Sequence, residues 1–317
     1  MLSVVVPVFN EEESLVAFYT ELLKIVPSLD KSYEIIFIDD GSSDKSLEII
    51  KAFEKKNKNI RAFSFRRNLG KSEALTLGFE KANGDFIVTL DADLQDKPTE
   101  IYKLLNKARE GIDLVCGWRK DRKDNKNAVL SSKIFNIFAV LFWGLKLHDY
   151  NCGLKVYSKD LAKNIYLYGG MHRFIPLLAY QKGFSVSEVE VVHETRKFGE
   201  SKYAKGFVKI FKNLPDMFTM LFLAKYSKRP LHFFGSIGII FSLIGTIILT
   251  YLTYMHYIFG ETVGRRPILF IGILFIISGL QTFFTGFLAD LMINISHTPR
   301  AQDSTHFHFP LKYSSDI

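Results

Sequence analysis

From residue 230 to residue 260 the chain carries no Asp, Glu, Lys or Arg, and from Pro267 to Ala289 it again carries none. A helix crossing the hydrocarbon core of a bilayer needs about 20 apolar residues, whereas a run near a dozen is the length of a buried helix in a soluble core. Both stretches meet the longer criterion, and aromatic and basic residues flank their ends as interfacial anchors do. They read as two spanning helices joined in a hairpin, with two buried helices of a soluble domain as the competing reading. The remaining chain has to fold beside a membrane.

The 29 Phe and 14 Tyr, with a mean hydropathy slightly above zero despite 41 Lys plus Arg, reflect that concentration of apolar residues. The first residues, MLSVVVPVFNEEES, have neither a basic leader nor a small-residue cleavage site, so they do not read as a signal peptide. The part preceding the spans is therefore expected in the cytoplasm, in a multi-pass protein of the inner (plasma) membrane. Lys225, Lys228 and Arg229 before the first span fit its cytoplasmic end, although Arg265 and Arg266 in the hairpin loop reduce the asymmetry. A net charge of +8 could point to nucleic acid, but the basic residues gather beside membrane-seeking segments. Anionic headgroups or phosphorylated lipids are the better partners. Cys116 and Cys152, the two cysteines, read as unpaired thiols of a reducing compartment.

The first half alternates short β-branched and aromatic runs with helical patterns. Residues 3–9, 33–40, 60–65, 85–90 and 113–118 read as strands, and 11–26, 44–56, 72–82 and 98–110 as helices. That alternation predicts a parallel sheet covered by helices on both faces. Residues 119–133 read as a basic loop, 134–145 as an apolar helix lying at the membrane interface or beneath another helix, GLKVYS as a strand, and 171–182 as containing a helix. In 203–223, Lys205, Lys209, Lys212 and Asp216 form one stripe and Phe207, Phe211, Leu214, Phe218 and Leu221 another. A basic stripe opposite an aromatic one fits a helix in the headgroup plane, and a core-packed helix with Lys outward is the alternative. Residues 296–317 read as a solvated extension.

Three strands end in acidic motifs: PVFNE (7–11), IDDGS (38–42) and DADLQD (91–96). In a parallel α/β sheet such ends share the carboxyl edge, where ligands bind. Asp91 and Asp93 are two apart, so persisting extended geometry would put both carboxylates on one side, with Gln95 as a neutral oxygen donor. Hard oxygen ligands suit Mg²⁺ or Mn²⁺, which bind through one or two carboxylates plus substrate phosphates. Carboxylates converging on one edge repel each other unless a cation or hydrogen-bond donors hold them. The dinucleotide fingerprint G-x-G-x-x-G and the phosphate loop G-x-x-x-x-G-K-[ST] are both missing from the sequence, which disfavours a dehydrogenase or an ordinary nucleotide triphosphatase.

Together PVFNE, IDDGSSD, RRNLGKSEALTLGF, DADLQDKP, DYNCGLK and RKFGESKY resemble the family-two glycosyltransferases, and within them the polyprenyl-phosphate glycosyltransferases such as dolichyl-phosphate mannose synthase and the bactoprenol glucosyltransferases. The resemblance extends from about residue 3 to 292, and Q-x-x-R-W, the mark of processive polysaccharide synthases, is missing. It implies an A-type α/β fold, Rossmann-like with a mostly parallel sheet, with interfacial amphipathic helices and a two-helix transmembrane hairpin. The expected divisions are 1–128 for the nucleotide-sugar half, 129–228 for the acceptor half, 229–293 for the hairpin and 294–317 for a cytosolic tail. It implies inverting transfer of one sugar from a UDP- or GDP-linked donor to undecaprenyl or dolichyl phosphate. Extension of a lipid-linked oligosaccharide or surface glycan is one alternative, and a non-catalytic membrane scaffold another.

Residue by residue, the resemblance implies that Pro7, Phe9, Glu11, Asp39, Asp40, Lys71 and Asp91 bind the nucleotide, and that Asp91, Asp93 and Gln95 hold Mg²⁺ or Mn²⁺. It implies catalytic roles for Asp149, Asp93, Arg196 and Lys202, and acceptor-phosphate contacts from Arg119, Arg122 and Arg173. Leu154 and Lys155 stand where many relatives have a Phe-Arg pair, a departure on the acceptor side. For Asp149 two readings stay open, orienting the acceptor or acting as a base, and binding a nearby Lys or Arg. Small residues at Gly235, Gly238 and Gly245 would permit close helix contact in a homo-oligomer.

Overall fold

The computed structural model describes residues 1–120, 140, 144–194, 222, 226, 229–260, 262, 267–296 and 310–315. The chain forms two compact units, one of Met1–Met217 with His308–Ile317 and the other of Phe218–Phe307.

In the first unit, β1 (Leu2–Val8), α1 (Glu12–Leu29), β2 (Tyr33–Asp39), α2 (Ser46–Lys56), β3 (Ile60–Phe65), α3 (Lys71–Lys81), β4 (Phe86–Thr89), α4 (Ile101–Arg109) and β5 (Leu114–Trp118) follow the expected alternation. After them come β6 (Lys155–Ser158), α5 (Lys159–Asn164), α6 (Ile175–Gln181) and β7 (Val186–Glu190), and finally β8 (Leu311–Ser314). The eight strands form one sheet in the order β7-β5-β6-β4-β1-β2-β3-β8. Pairing is parallel for β1 with β2 and β4, for β2 with β3, and for β5 with β7, whereas β6 runs antiparallel between β4 and β5.

Alternation along β1 shows why both faces are covered. Val4, Val6 and Val8 belong to a core with Ile35, Phe37 and the stripe Leu15, Phe18, Leu22 and Val26 of α1. Those α1 positions recur at helical spacing, so one face of the helix is apolar. Val5 points the other way, where Gly78 of α3 comes so close that a Cβ there would lie 2.2 Å from Val5 Cγ1. Each fully buried Val, Leu or Phe contributes roughly 1.5–3 kcal/mol relative to exposure. The chain winds outward from β1 to β2 to β3, then reverses to place β4 on the other side of β1. Such a reversal opens a crevice at the carboxyl ends of β1 and β4.

The structure differs from expectation at the chain's end. Leu311–Ser314, read as part of a solvated extension, form a strand antiparallel to β3. Four residues with one Leu and one Tyr carry too little periodicity to mark a strand, and only the open edge of β3 specifies it. Residues 186–190 likewise carry no clear strand signal, their Ser and Glu masking a strand that pairs with β5.

In the second unit, α7 (Pro230–Phe259) and α8 (Pro267–Ser296) are both long and apolar enough to cross a membrane. Large apolar side chains on them are exposed, among them Ile247 at 67% and Phe270 at 69%, which rules against a soluble core pair. The two helices touch through glycine: a Cβ at Gly238 would lie 2.6 Å from the Gly279 carbonyl, and one at Gly245 2.6 Å from that of Gly272. The glycines that suggested contact between copies therefore face the other helix of the same hairpin. The interfacial expectations for 134–145 and 203–223 fall, apart from isolated positions, outside the described residues.

Candidate active site

The carboxyl ends of β1, β2 and β4 bring the acidic motifs to one edge. Asp39, wholly buried, accepts from Ser64 Oγ at 2.6 Å and from the Ser42 amide at 3.2 Å. Asp40 accepts from the amides of Leu69 (2.7 Å) and Gly70 (3.0 Å) and from Asn68 Nδ2 (2.8 Å), all in the turn between β3 and α3. Burial raises its carboxyl above the ordinary range, and Glu73 and Asp39 push the same way. Gly41 has φ +67 and a Cβ there would lie 2.4 Å from the Arg67 carbonyl carbon, so only glycine lets the two turns meet.

The β1 end is stitched to the same turn. Asn10, at φ 51, donates from its amide to Ser42 Oγ at 2.9 Å and accepts from the Ser43 amide at 2.8 Å. Glu11 donates from its amide to Ser46 Oγ at 2.9 Å, and its side chain accepts from Ser14 Oγ at 3.1 Å. Pro7 lies in β1 opposite Ile38, and Phe9 follows the strand. The left-handed Asn10 is a local cost that hydrogen bonds to β2's turn offset.

At the end of β4 the chain turns rather than staying extended. The Gln95 amide donates to Asp93 Oδ1 at 3.1 Å, and Leu94, buried, adopts φ 61. Alternation therefore does not set where the Asp91 and Asp93 carboxylates lie, since a strained turn replaces the strand there. Lys71, the first residue of α3, meets both oxygens of Asp91 at 2.5 and 2.7 Å. Burial alone would raise that carboxyl; the Lys71 ammonium, with Lys155 behind it, holds it below the ordinary range.

The segment DYNCGLK supplies a buried ion pair and two groups that bear on Asp91. Asp149, 2% exposed, pairs with Arg119, 10% exposed, through Nε at 2.7 Å and Nη2 at 3.2 Å, and also accepts from the Asn151 amide at 3.0 Å. Burial opposes the charge on Arg119, and the Asp149 hydrogen bonds overcome it and raise the guanidinium pKa. Gly153 lies against Asp91, where a Cβ would come within 2.5 Å of Oδ2. Lys155, buried in β6, donates to the Cys152 carbonyl and supplies positive charge near Asp91. Gly153 and Asn151 carry no expected role, and Lys155, expected on the acceptor side, lends its charge to Asp91. Their signal was proximity within one motif whose members fold onto different partners.

The far end of the 91–96 loop is latched as well. Asp96 forms a bridge with His193 and faces its Nδ1 at 3.2 Å, while the Glu194 amide donates to the Gln95 carbonyl at 2.9 Å. Arg173 lies in the turn Met171–Phe174 beside His172. Burial, with the Lys71 and Arg173 charges, pushes His172 down to about 3, so its ring is neutral at pH 7. Ser72 Oγ donates to the Gly169 carbonyl at 2.7 Å and accepts from the His172 amide at 3.0 Å, tying α3 to that turn. Burial pushes the Cys116 thiol up to about 12, and Cys152 also well above its usual value, so neither is a nucleophile at neutral pH. Arg122, Arg196 and Lys202 lie outside the described residues.

Among the described residues no group of three His, Cys, Asp or Glu converges as a complete metal site. Of the three expected ligands, Asp91 has both oxygens on Lys71 and Asp93 Oδ1 accepts from the Gln95 amide; a divalent ion that shares its ligands with substrate phosphates needs only one or two protein carboxylates.

Residues 3–166 match the family model for glycosyl transferase family 2. The chain belongs to that family. This glycosyltransferase is 35% identical over 296 residues to the dodecaprenyl-phosphate galacturonate synthase of Rhizobium johnstonii, covering 92% of this chain and 87% of the relative. It is 35% identical over 303 residues to the undecaprenyl-phosphate 4-deoxy-4-formamido-L-arabinose transferase of Photorhabdus laumondii, covering 95% and 91%. Its fold is that of glucosyl-3-phosphoglycerate synthase from Mycobacterium tuberculosis, solved with phosphoglyceric acid, at TM-score 0.54 and 19% identity over 71% of this chain and 79% of that one. The same synthase solved with Mn²⁺, uridine diphosphate and phosphoglyceric acid gives TM-score 0.52 at 18% identity, over 71% and 76% of the two chains.

Proposed function

We propose that this glycosyltransferase moves one sugar from a UDP- or GDP-linked donor to a polyprenyl phosphate, undecaprenyl or dolichyl, at the cytoplasmic face of the inner membrane, with inversion. One observation carries the reading. The match to the Photorhabdus relative takes in 95% of the chain and so runs through both apolar helices, well beyond the family domain that ends at residue 166. A shared catalytic domain alone would leave the acceptor open. A match that also takes in the two apolar helices favours an acceptor that lives in the bilayer, and the names of both relatives give a polyprenyl phosphate.

The site can perform such a transfer with little acid–base chemistry. A lipid phosphate is already anionic at neutral pH, so the demands are alignment with the anomeric carbon and stabilisation of the departing diphosphate. Asp39 and Asp40, with Pro7, Phe9 and Glu11, would take the nucleoside. Asp91, Asp93 and Gln95 would hold Mg²⁺ or Mn²⁺, which when bound neutralises diphosphate charge. Lys71 and Lys155 place positive charge beside Asp91, and Arg173, Arg122, Arg196 and Lys202 are assigned to phosphates of the acceptor or leaving nucleotide. The bidentate Arg119–Asp149 pair supports a positioning role for Asp149, in place of a free base, and leaves Arg119 to act through it.

The test is transfer by detergent-purified protein given labelled nucleotide sugars and Mg²⁺ or Mn²⁺, with and without undecaprenyl phosphate. Label entering the organic phase only with the lipid, in a β-linkage from an α-linked donor by NMR, is the expected result. Transfer only to an already glycosylated lipid would move the acceptor to oligosaccharide extension, and an α-linked product would overturn inversion.

A further inference from the structure

We propose that β8, the strand that follows the second apolar helix, positions the turn holding Asp40 and thereby sets the affinity of the donor site for its nucleoside diphosphate. The inference rests on the reading of Asp39 and Asp40 as nucleotide ligands.

Both carboxylates of IDDGS are held by β3 and the turn it leads into. Ser64 of β3 donates to Asp39, and the donors to Asp40 come from residues 68–70, immediately beyond the strand. β8 lies against this strand. Ser64 stands opposite Tyr313 and Phe65 opposite Leu311, with a register irregularity between Ser64 and Phe65. Arg66, the residue at which the turn begins, donates from its amide to the Pro310 carbonyl at 2.9 Å and from Nε to the Leu311 carbonyl at 3.2 Å. The Ser315 amide returns a bond to the Ala62 carbonyl at 3.0 Å. Without β8, β3 would be an open edge with unpaired backbone groups, and its last residue would fray into the turn.

β8 is itself fixed from α2. The Tyr313 hydroxyl donates to Glu54 Oε2 at 2.5 Å, while Glu54 Oε1 accepts from the Ala62 amide at 3.1 Å. Lys51 Nζ sits 4.1 Å from the Tyr313 ring centre. One carboxylate thus clamps β8 and β3 together. The turn that β8 anchors has no slack, because the Arg67 backbone packs against Gly41 too closely for a side chain. A shift of Arg66 is therefore transmitted to Asn68, Leu69 and Gly70, and from them to Asp40. The chain has to pass through both apolar helices before it can supply β8, so a complete donor site depends on a segment beyond the hairpin.

The test uses full-length protein in detergent, with UDP and GDP in the presence of Mn²⁺ as probes by calorimetry, and with donor KM and kcat from the transfer assay. The variants are a truncation removing residues 310–317, Tyr313→Phe, Arg66→Gln and, as a control, Asp40→Asn. Loosening the Asp40 turn is expected to raise nucleotide Kd and donor KM roughly threefold to tenfold for the truncation, equivalent to about 0.7–1.4 kcal/mol. The point variants are expected to raise Kd and KM by less, and kcat at saturating donor stays near that of the wild type. A merely structural role would lower the binding stoichiometry and kcat and leave Kd unchanged, which overturns the proposal. Should the truncation fail to fold, unchanged Kd in both Tyr313→Phe and Arg66→Gln overturns it equally. Wild-type protein that binds neither nucleotide overturns the donor reading and this inference with it. Binding that is lost in Asp40→Asn yet unaltered by every change at β8 overturns the inference alone.

Discussion

Between Gly153 and Asp91 there is no space for a methyl group, since a Cβ at Gly153 would lie 2.5 Å from Asp91 Oδ2. Gly153→Ala must therefore move the carboxylate that Lys71 grips. Displacing a reacting constellation by about 1 Å can cost about 10²-fold, so this variant is expected to lose between tenfold and a hundredfold in kcat/KM while keeping its fold. Wild-type activity would show that the position of Asp91 is immaterial. The Arg119–Asp149 pair invites a different test. Removing one partner of a buried ion pair costs about 3–5 kcal/mol, whereas replacing both with apolar residues of similar size is often neutral. Asp149→Asn should lower both the thermal midpoint and transfer, and Arg119→Met with Asp149→Leu should restore the midpoint without restoring transfer. Recovery of transfer in the double variant would reduce the pair to a structural role. Of this cluster, Asp149, Asp91 and Arg119 were legible because acidic and basic residues beside strand ends invite chemistry. Gly153 was not, because its importance is a distance to Asp91 that no spacing in the sequence encodes; Lys155 stands out in the sequence for the acceptor side, whereas its charge acts on Asp91.

At the scale of elements, the strands and helices of the first half follow from alternation, and each lies within three residues of its expected bounds at both ends. The loop at Asp91 is the exception, where the left-handed Leu94 breaks the extended geometry. The helical hairpin shows the same contrast. Its two helices are plain from their lack of charge, but the use of their glycines is set by how they pack. Gly238→Leu would drive side-chain atoms into the Gly279 carbonyl, 2.6 Å from where the Cβ would stand. The expected result is a separated hairpin, read as lost crosslinking by a short bifunctional thiol reagent between cysteines placed at Phe241 and Phe275, whose rings meet at 5.5 Å, in an otherwise cysteine-free protein. Crosslinking as efficient as without the Leu would show that the close approach is not needed.

For the whole molecule, the order of the chain carries a topological consequence. β8 belongs to the same unit as residues preceding α7, so a chain that crosses the membrane through α7 must cross back through α8. A single cysteine at Thr262 should then react with a membrane-impermeant maleimide on intact spheroplasts, and one at Lys312 only after lysis. The reverse pattern would place the catalytic unit outside the cytoplasm and remove its access to nucleotide sugars.

The sequence by itself determined the two apolar helices, the alternating α/β order and the three acidic strand ends, because these depend on local composition and on periods of 2 and 3.6 residues. Only the tertiary structure decided that Asp149 is spoken for by Arg119, that Lys71 and Gly153 fix Asp91, and that residues 311–314 complete the sheet beside the Asp40 turn. Those outcomes depend on which groups meet across separations of 20 to more than 200 residues. Such meetings are set by packing and by the need to satisfy buried charge and open backbone, and neither leaves a periodic trace in the chain.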